Sequence, residues 1–314
     1  MRRRTIAVYL AIAAIAGAAP ISPAQNYSWP AGSDRESFKI WPTAAPDPVP
    51  TTGPEADAST TKDNLIAGRP LVRLGNVSEP TLTIYKPKGK NSGAAVVVFP
   101  GGGYSILAID LEGTEVCQWL NKADITCALL KYRVPSTGPY PKSSAALQDA
   151  QRAVSLVRAN AVKYQIDPKR IGVLGFSAGG HLAAAVSTHY DKRLYEPIDE
   201  ADKVSCRPDF AVVVYPGYLA DAEQSFLDKL DLHPTAQTPP TFIVQAEDDP
   251  VHIENSTIWF LALKQAKVPA ELHIYSEGGH GYGLRPQAKW PVTTWPQSVE
   301  TWLHTIHILS SRNP

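Results

Sequence analysis

The clearest chemical signal in the sequence is a serine flanked by glycines. Ser177 stands in Gly175-Phe-Ser-Ala-Gly179, directly after a β-branched run at residues 171–174 and before a helical stretch that begins near His181. A G-x-S-x-G turn between a strand and a helix strains the serine backbone and exposes its hydroxyl. The two glycines leave room where strand and helix crowd together. The pattern therefore predicts a nucleophilic serine at the carboxyl end of a strand.

A serine hydroxyl is a poor nucleophile at neutral pH, so the site needs a base that takes its proton. The sequence contains eight histidines. His280 stands out because it lies between glycines after an apolar run at residues 271–275, on a loop that can approach other backbone closely. His273, His304 and His307 lie within a predicted strand or the last helix, where packing or surface roles explain them. We therefore predict His280 as the base.

The base in turn needs an acid that orients it. Three carboxylates follow the apolar run at residues 241–245, and Asp249 is favoured because Pro250 turns the chain directly after it. Glu247 and Asp248 are then surface or turn residues. The chain order Ser177, Asp249, His280 is the order found in α/β-hydrolases.

A glycine-rich stretch supplies the fourth chemical element. Gly101-Gly-Gly103 follows the apolar run at residues 94–99, and glycine amides can approach a substrate oxygen with no side chain in the way. The N–H groups of Gly102 and Gly103, together with that of Ala178 after the serine, are predicted to form an oxyanion hole.

The elements that must position these residues alternate between strand and helix. Apolar runs predict strands at residues 81–86, 94–99, 125–130, 171–174, 210–214, 241–245 and 271–275, of which the first alternates and reads as an edge strand. Helical spacing predicts helices at residues 111–120, 144–164, 256–265 and 299–309. This alternation predicts an α/β fold with a mostly parallel sheet, helices on both faces and the active site at the carboxyl ends of the strands. No long helical insertion is present, so we expect only a small lid.

Three segments are expected along the chain. Residues 1–24 begin with three arginines and an apolar run and end in Ser22-Pro-Ala24, the pattern of a cleavable signal peptide. The alternative, a membrane anchor, is disfavoured because the run is short for a span. Residues 25–63 form a Pro-rich extension that Trp29 and Trp41 could pin to the surface, and residues 64–314 form the catalytic domain. The mature protein is expected to be secreted or periplasmic, without membrane attachment.

The charge balance and the lack of metal-binding motifs limit the kinds of partner and cofactor that the protein is expected to bind. Thirty basic and 30 acidic residues give a net charge of zero, and loss of the three leader arginines leaves 27 basic against 30 acidic. Such a balance argues against a nucleic-acid partner. No H-E-x-x-H or paired-cysteine motif is present, so neither a metal nor another cofactor is expected. Cys117 and Cys127 fit buried apolar positions, although a bridge between them stays open.

Several motifs together resemble one known group. They are Ile40-Trp-Pro42, Phe99-Pro-Gly-Gly-Gly-Tyr104, Asp110-Leu-Glu-Gly113, Leu130-Lys-Tyr-Arg133, Leu147-Gln-Asp-Ala-Gln-Arg-Ala-Val154, the stretch from Gly175 to Ala184, Ala246-Glu-Asp-Asp-Pro-Val251 and Gly278-Gly-His-Gly-Tyr-Gly283. With them the chain resembles the bacterial branch of α/β-hydrolases that contains acetylxylan esterases and feruloyl esterases. Pro100 replaces the histidine of the related H-G-G-G motif, which leaves the glycine amides in place.

The resemblance implies a small-lid carboxylesterase, often secreted, that removes acetyl groups from xylan or short sugars. A feruloyl esterase or general short-chain carboxylesterase is the alternative. A prolyl-oligopeptidase-like peptidase is less favoured because residues 25–63 are too short for its propeller domain, and a non-catalytic binding module would need no triad. Four further residues are candidates for lining or supporting the substrate pocket: Tyr104, Asp110, Glu112 and His181.

Overall fold

The computed structural model describes residues 35–63, 65–220, 232–285 and 291–310. The predicted signal peptide and Trp29 lie outside these ranges. The strands are β1 (Glu36–Lys39), β2 (Ala56–Asp57), β3 (Arg73–Gly75), β4 (Thr81–Tyr85), β5 (Ala95–Phe99), β6 (Leu107–Ala108), β7 (Thr126–Lys131), β8 (Ile171–Phe176), β9 (Ala211–Val214), β10 (Thr241–Ala246) and β11 (Ala270–Tyr275). The helices are α1 (Glu115–Lys122), α2 (Ala145–Ala159), α3 (Ala161–Tyr164), α4 (Ala178–Thr188), α5 (Glu254–Gln265) and α6 (Trp295–Thr305).

Eight of the described strands form one central sheet in the order β1-β4-β7-β5-β8-β9-β10-β11. The pairs β1-β4 and β4-β7 are antiparallel, whereas all the neighbours from β7 to β11 are parallel. Every residue of β5, β7 and β8 is buried, so both faces of the sheet centre are covered, as expected for continuous apolar runs. This arrangement confirms the predicted α/β-hydrolase fold.

The helices deviate from the predicted ranges mainly at their ends. The predicted helix at residues 111–120 begins with a π-helical turn, Asp110–Thr114, before α1. The long helix predicted at residues 144–164 is divided at Asn160 into α2 and α3. None of the helices in the described ranges combines the length and apolarity needed to cross a membrane.

The predicted edge position of β4 is wrong. Strand β1 pairs with it along Glu36↔Ile84 to Lys39↔Thr81, so β4 is flanked on both sides. The polar alternation that suggested an exposed edge includes Thr83, which is fully buried with its hydroxyl 2.9 Å from the Ser37 hydroxyl. A buried polar group is tolerated when it is hydrogen-bonded, and here the partner comes from a segment 46 residues earlier.

Part of the Pro-rich segment is attached to the domain through buried side chains. The Trp41 indole donates a 2.7 Å hydrogen bond to Asp149 on α2 and packs edge-on against Tyr195 with 4.8 Å between ring centroids. Asp149 also pairs with Arg133 at 2.9 Å, and the Arg133 guanidinium donates to the carbonyl of Asp47 at 2.9 Å. Trp41 is therefore a buried contact between this segment and the domain.

Cys117 and Cys127 form a disulfide. Cys117 lies on α1 and Cys127 on β7, and the Cα atoms of the pair are 5.2 Å apart. Both side chains are fully buried, as their apolar settings predicted. Cys206 is a buried free thiol. The disulfide joins the helix that follows the glycine loop to the sheet.

Candidate active site

Ser177 occupies a strained turn between β8 and α4. Its backbone has φ 51° and ψ −117°, a region that residues with a side chain rarely adopt. A Cβ atom on Gly175 would lie 1.8 Å from the Gly179 carbonyl oxygen, and one on Gly179 would lie 2.1 Å from that of Phe99. Glycine is therefore required on both sides of the serine, and the sharp turn presents its hydroxyl beyond the strand.

The structure brings the three predicted polar residues into one hydrogen-bonded series. His280 Nε2 lies 2.8 Å from Ser177 Oγ, and His280 Nδ1 lies 2.8 Å from Asp249 Oδ2. The imidazole also packs edge-on against Tyr215, with ring centroids 4.9 Å apart. The side chain of His280 is 22% exposed, whereas that of Asp249 is fully buried. The imidazole is thus partly exposed, with Nε2 facing Ser177 and Nδ1 hydrogen-bonded to the buried Asp249.

Asp249 is held in a single orientation by the loop that follows β10. Its Oδ1 accepts a 2.7 Å hydrogen bond from the amide of Val251, and its Oδ2 accepts another of 3.0 Å from Gln245. The neighbouring Asp248 is exposed and accepts from the Gly279 amide at 2.8 Å, so it supports the histidine loop instead. Glu247 is exposed. These positions agree with the preference for Asp249 drawn from the sequence.

The glycine loop runs directly beside the serine. A Cβ atom on Gly101 would lie 2.6 Å from the Phe176 carbonyl oxygen and 2.9 Å from the Cβ of Ser177, so the loop lies against the turn that carries the serine. Gly102 and Gly103 have φ values of 134° and 62°, which favour glycine. Among the described residues, no hydrogen-bond acceptor faces the amides of Gly102, Gly103 or Ala178. These donors, the last at the start of α4, can receive negative charge that develops on a substrate oxygen.

Glu112 supports the glycine loop from beneath. Its buried carboxylate accepts a 2.6 Å hydrogen bond from the Gly101 amide and one of 2.8 Å from the Tyr215 hydroxyl. The Tyr215 oxygen accepts in turn from the Gly283 amide at 3.1 Å. Burial raises the pKa of Glu112, and the hydrogen bonds from Tyr215 and Gly101 partly oppose this. The predicted pocket residue therefore has its carboxylate engaged in holding two loops.

Tyr104 and His181 form a buried pair behind the glycine loop. The Tyr104 hydroxyl lies 2.9 Å from His181 Nδ1. Burial lowers the pKa of His181 to about 3 and raises that of Tyr104 well above its ordinary value. At neutral pH the phenol is therefore protonated and the imidazole is neutral, and the two share one hydrogen bond whose donor is set by the imidazole tautomer.

Asp110 is engaged in a structural ion pair. One carboxylate oxygen accepts from the Val72 amide at 2.8 Å, and the other pairs with Arg285 at 3.0 Å. The Arg285 side chain is 1% exposed and also pairs with Glu115 at 2.9 Å. The predicted pocket residue Asp110 thus connects the start of the π-helical turn to the segment after the histidine loop.

The loop that follows β9 contributes site contacts from residues that no sequence motif identified. Tyr215 contacts both His280 and Glu112, and Tyr218 places its hydroxyl 3.5 Å from the Gly103 carbonyl oxygen. The buried Asn255 accepts from the amides of Leu219 and Ala220 at 2.7 and 3.0 Å. The position of this loop, at the carboxyl end of a parallel strand next to the serine strand, was the signal that could have identified it.

The assembled groups are suited to acyl transfer. They provide a hydroxyl nucleophile, a base in contact with it, an acid that orients the base and amides for the developing oxyanion. In the part of the chain that the structure describes, no cluster of three or more His, Cys, Asp or Glu side chains is arranged to hold a metal ion.

The chain is similar to known esterases over most of its length. The sequence model of the BD-FAE family matches residues 82–215. The crystal structure of an acetyl ester-xyloside bifunctional hydrolase from Caldicellulosiruptor lactoaceticus is 36% identical, with a TM-score of 0.65, and the match covers 83% of this chain and 99% of that one.

Two curated proteins extend the similarity. An acetylxylan esterase of Xylanibacter ruminicola is 30% identical over 68% of this chain and 46% of its own length. Endo-1,4-beta-xylanase B of Butyrivibrio fibrisolvens is 31% identical over 64% of this chain and 34% of its own length. The match therefore spans less than half the length of these two relatives.

Proposed function

Because the chain belongs to the α/β-hydrolase superfamily, in an esterase branch that includes acetylxylan esterases, we propose that it removes O-acetyl groups from xylan or xylo-oligosaccharides as a serine carboxylesterase. The observation that carries the reaction type is the series from Ser177 through His280 to Asp249, with 2.8 Å at each step. The substrate class is supported by the names of the 36% identical acetyl ester-xyloside hydrolase and the 30% identical acetylxylan esterase.

Acylation begins at the serine. Ser177 Oγ attacks the ester carbonyl carbon while His280 Nε2 takes its proton, and the carbonyl electron pair moves to oxygen. The amides of Gly102, Gly103 and Ala178 bind this oxyanion, and Asp249 stabilises the imidazolium. The base is already within hydrogen-bonding distance, so no rearrangement of His280 is needed for proton transfer.

The second half of the cycle uses the same histidine. As the tetrahedral intermediate collapses, His280 Nε2 returns its proton to the sugar oxygen, which leaves as an alcohol. The acetyl group stays on Ser177 until water attacks it with His280 again as the base. Acetate and the free serine are the products.

The proposal includes export from the cytoplasm. Its supports are the basic and apolar start of the sequence with Ser22-Pro-Ala24 at its end, and the Cys117–Cys127 disulfide, a bond that persists in oxidising compartments. Mass spectrometry of protein recovered from the cell envelope and the medium tests this. A new amino terminus near residue 25 is expected, and an intact leader on cytoplasmic protein would contradict it.

The function is tested with four esters. The wild type is incubated with acetylated xylo-oligosaccharide, 4-nitrophenyl acetate, 4-nitrophenyl octanoate and methyl ferulate. We expect acetate release from the first two only, with Ser177→Ala at the blank rate. Ser155→Ala is the matched control, because the hydroxyl of this buried serine on α2 has no hydrogen-bond partner among the residues that the structure describes.

Three other outcomes of this assay would contradict the proposed function or the proposed nucleophile. Turnover of the ferulate or octanoate ester would contradict a small acyl pocket and favour the feruloyl or general carboxylesterase alternative. Retained activity in Ser177→Ala would contradict the proposed nucleophile. No hydrolysis of any of the four esters would favour a peptidase or a binding role.

A further inference from the structure

Tyr218 stands at the rim of the site on a backbone tied to the serine. The loop from Tyr215 follows β9, and the Gly217 amide donates a 3.2 Å hydrogen bond to the Ser177 carbonyl oxygen. The side chain of Tyr218 extends toward the glycine loop, where its hydroxyl lies 3.5 Å from the Gly103 carbonyl oxygen. Tyr218 therefore flanks the place where an ester must sit.

The ring is partly buried against aromatics and partly open. It packs on Tyr104 at 5.9 Å and on His181 at 6.1 Å between ring centroids. Tyr218 is nevertheless 48% exposed, whereas Tyr104 and His181 are only 2% and 1% exposed. An exposed aromatic surface beside a polar site is a common feature of ligand-binding clefts.

The backbone holds this ring in an unfavourable conformation. Tyr218 has φ 59°, a left-handed conformation that is rare for a bulky residue and energetically unfavourable. Asn255 holds the following amides of Leu219 and Ala220 and donates through its Nδ2 to the Val251 carbonyl at 2.6 Å. The loop that carries Tyr218 is thus attached to the loop that carries Asp249. A strained conformation that surrounding contacts maintain points to a functional requirement.

We propose that Tyr218 is the platform on which the sugar ring of the departing alcohol packs. The proposal rests on the proposed esterase function. One face of a pyranose is lined with C–H groups while its hydroxyls point outward, so a single flat ring with open surroundings suits it. A fatty alcohol would instead need an enclosed apolar groove. With the sugar on Tyr218, the carbonyl oxygen of the ester can reach the amides of the adjacent glycine loop.

The test compares an ester that has a sugar ring with one that has none. Acetylated xylobiose and ethyl acetate share the acyl group, so only the alcohol differs. Tyr218→Ala is expected to lower kcat/KM for acetylated xylobiose about tenfold and to change that for ethyl acetate less than about twofold. Alanine keeps the same left-handed backbone penalty, so the loop is not relaxed. Tyr218→Phe keeps the ring and should leave both substrates within about twofold.

Leu261→Ala is the matched control, since this leucine on α5 is 56% exposed. Equal losses on both esters would overturn the proposal, because Tyr218 would then act through the Gly103 loop. Unchanged kcat/KM on both would also overturn it by placing the sugar elsewhere. A wild type that hydrolyses ethyl acetate but not acetylated xylobiose would contradict the proposed function and the subsite with it.

Discussion

The carboxylate of Glu112 accepts a 2.6 Å hydrogen bond from the amide of Gly101, so a buried acid holds the backbone that leads into the glycine loop. Its other oxygen accepts from Tyr215, which receives the Gly283 amide at 3.1 Å. One side chain thereby joins the glycine loop of residues 101–103 to the segment that follows His280. Removing it disturbs both at once.

We expect Glu112→Ala to lower kcat by about 10²–10³, the cost of losing one oxyanion donor, with KM changed only a few-fold. Two buried donors would lose their acceptor, and the Gly101 backbone would no longer be held. Glu112→Gln keeps one acceptor oxygen for Gly101 and should retain activity within about tenfold. Steady-state kinetics on 4-nitrophenyl acetate measures both.

Glu200→Ala is the control for this prediction, because Glu200 is exposed and pairs only with Lys203 among the ion pairs of the described residues. The melting temperature of each variant separates a local effect from unfolding. If Glu112→Ala raised KM with kcat unchanged, the role assigned to this residue would be incorrect.

Variants of the two neighbouring aspartates, Asp248 and Asp249, test which carboxylate orients His280. Asp249→Asn is expected to lower kcat by about 10³–10⁴, because an amide cannot orient the His280 tautomer or stabilise its cation. Asp248→Asn should cost less than about tenfold, since this exposed residue contributes one 2.8 Å hydrogen bond to Gly279. Kinetics on the same ester measure both. Comparable losses of kcat in the two variants would contradict the assignment of Asp249, rather than Asp248, as the acid that orients His280.

The sheet centre and the polar series could be predicted because their signals are local. A strand buried on both faces is a continuous apolar run, as at residues 94–99, and the elbow requires glycines at fixed spacing from Ser177. Asp249 and His280 follow late strands directly, so the carboxyl ends of parallel strands bring them to the serine.

Contacts between distant segments could not be predicted in this way. Strand β1 pairs with β4 from within the predicted Pro-rich extension, and Ser37 meets Thr83 across 46 residues. Glu112 meets Tyr215 across 103 residues, and no short pattern indicates such a pair. The disulfide depends on the tertiary approach of α1 to β7, which no local sequence pattern indicates.

The disulfide is expected to stabilise the domain. It closes a loop between residues separated by 10 positions, and restricting the unfolded chain by such a loop contributes about 2–3 kcal/mol. Cys117→Ala combined with Cys127→Ala should lower the free energy of unfolding by about that amount and abolish the effect of reductant on the melting temperature. Cys206→Ala, which removes the buried free thiol, should leave the reductant effect intact.

Thiol titration of the urea-unfolded wild type provides a direct check of the bond. One reactive thiol per chain is expected before reduction and three after it, because the sequence has three cysteines. Three reactive thiols before reduction would contradict the bridge.

The buried His181 should make the protein less stable in acid. Burial lowers its pKa to about 3 from an ordinary value of 6.5, so between these values the unfolded chain binds a proton that the native state excludes. The free energy of unfolding therefore falls as the pH drops below 6.5, by about 3 kcal/mol from this group at pH 4.

His181→Asn removes the titration and keeps a side-chain amide that can accept from, or donate to, the Tyr104 hydroxyl. Urea unfolding at pH 4, 5, 6 and 7 should give a smaller acid loss in this variant than in the wild type, even if its stability at pH 7 is lower. The control is His307→Asn, because His307 is exposed and its left-handed φ of 62° suits asparagine. Parallel pH profiles for the wild type and His181→Asn would mean that the native state accommodates the charged imidazole, contrary to its complete burial behind the glycine loop.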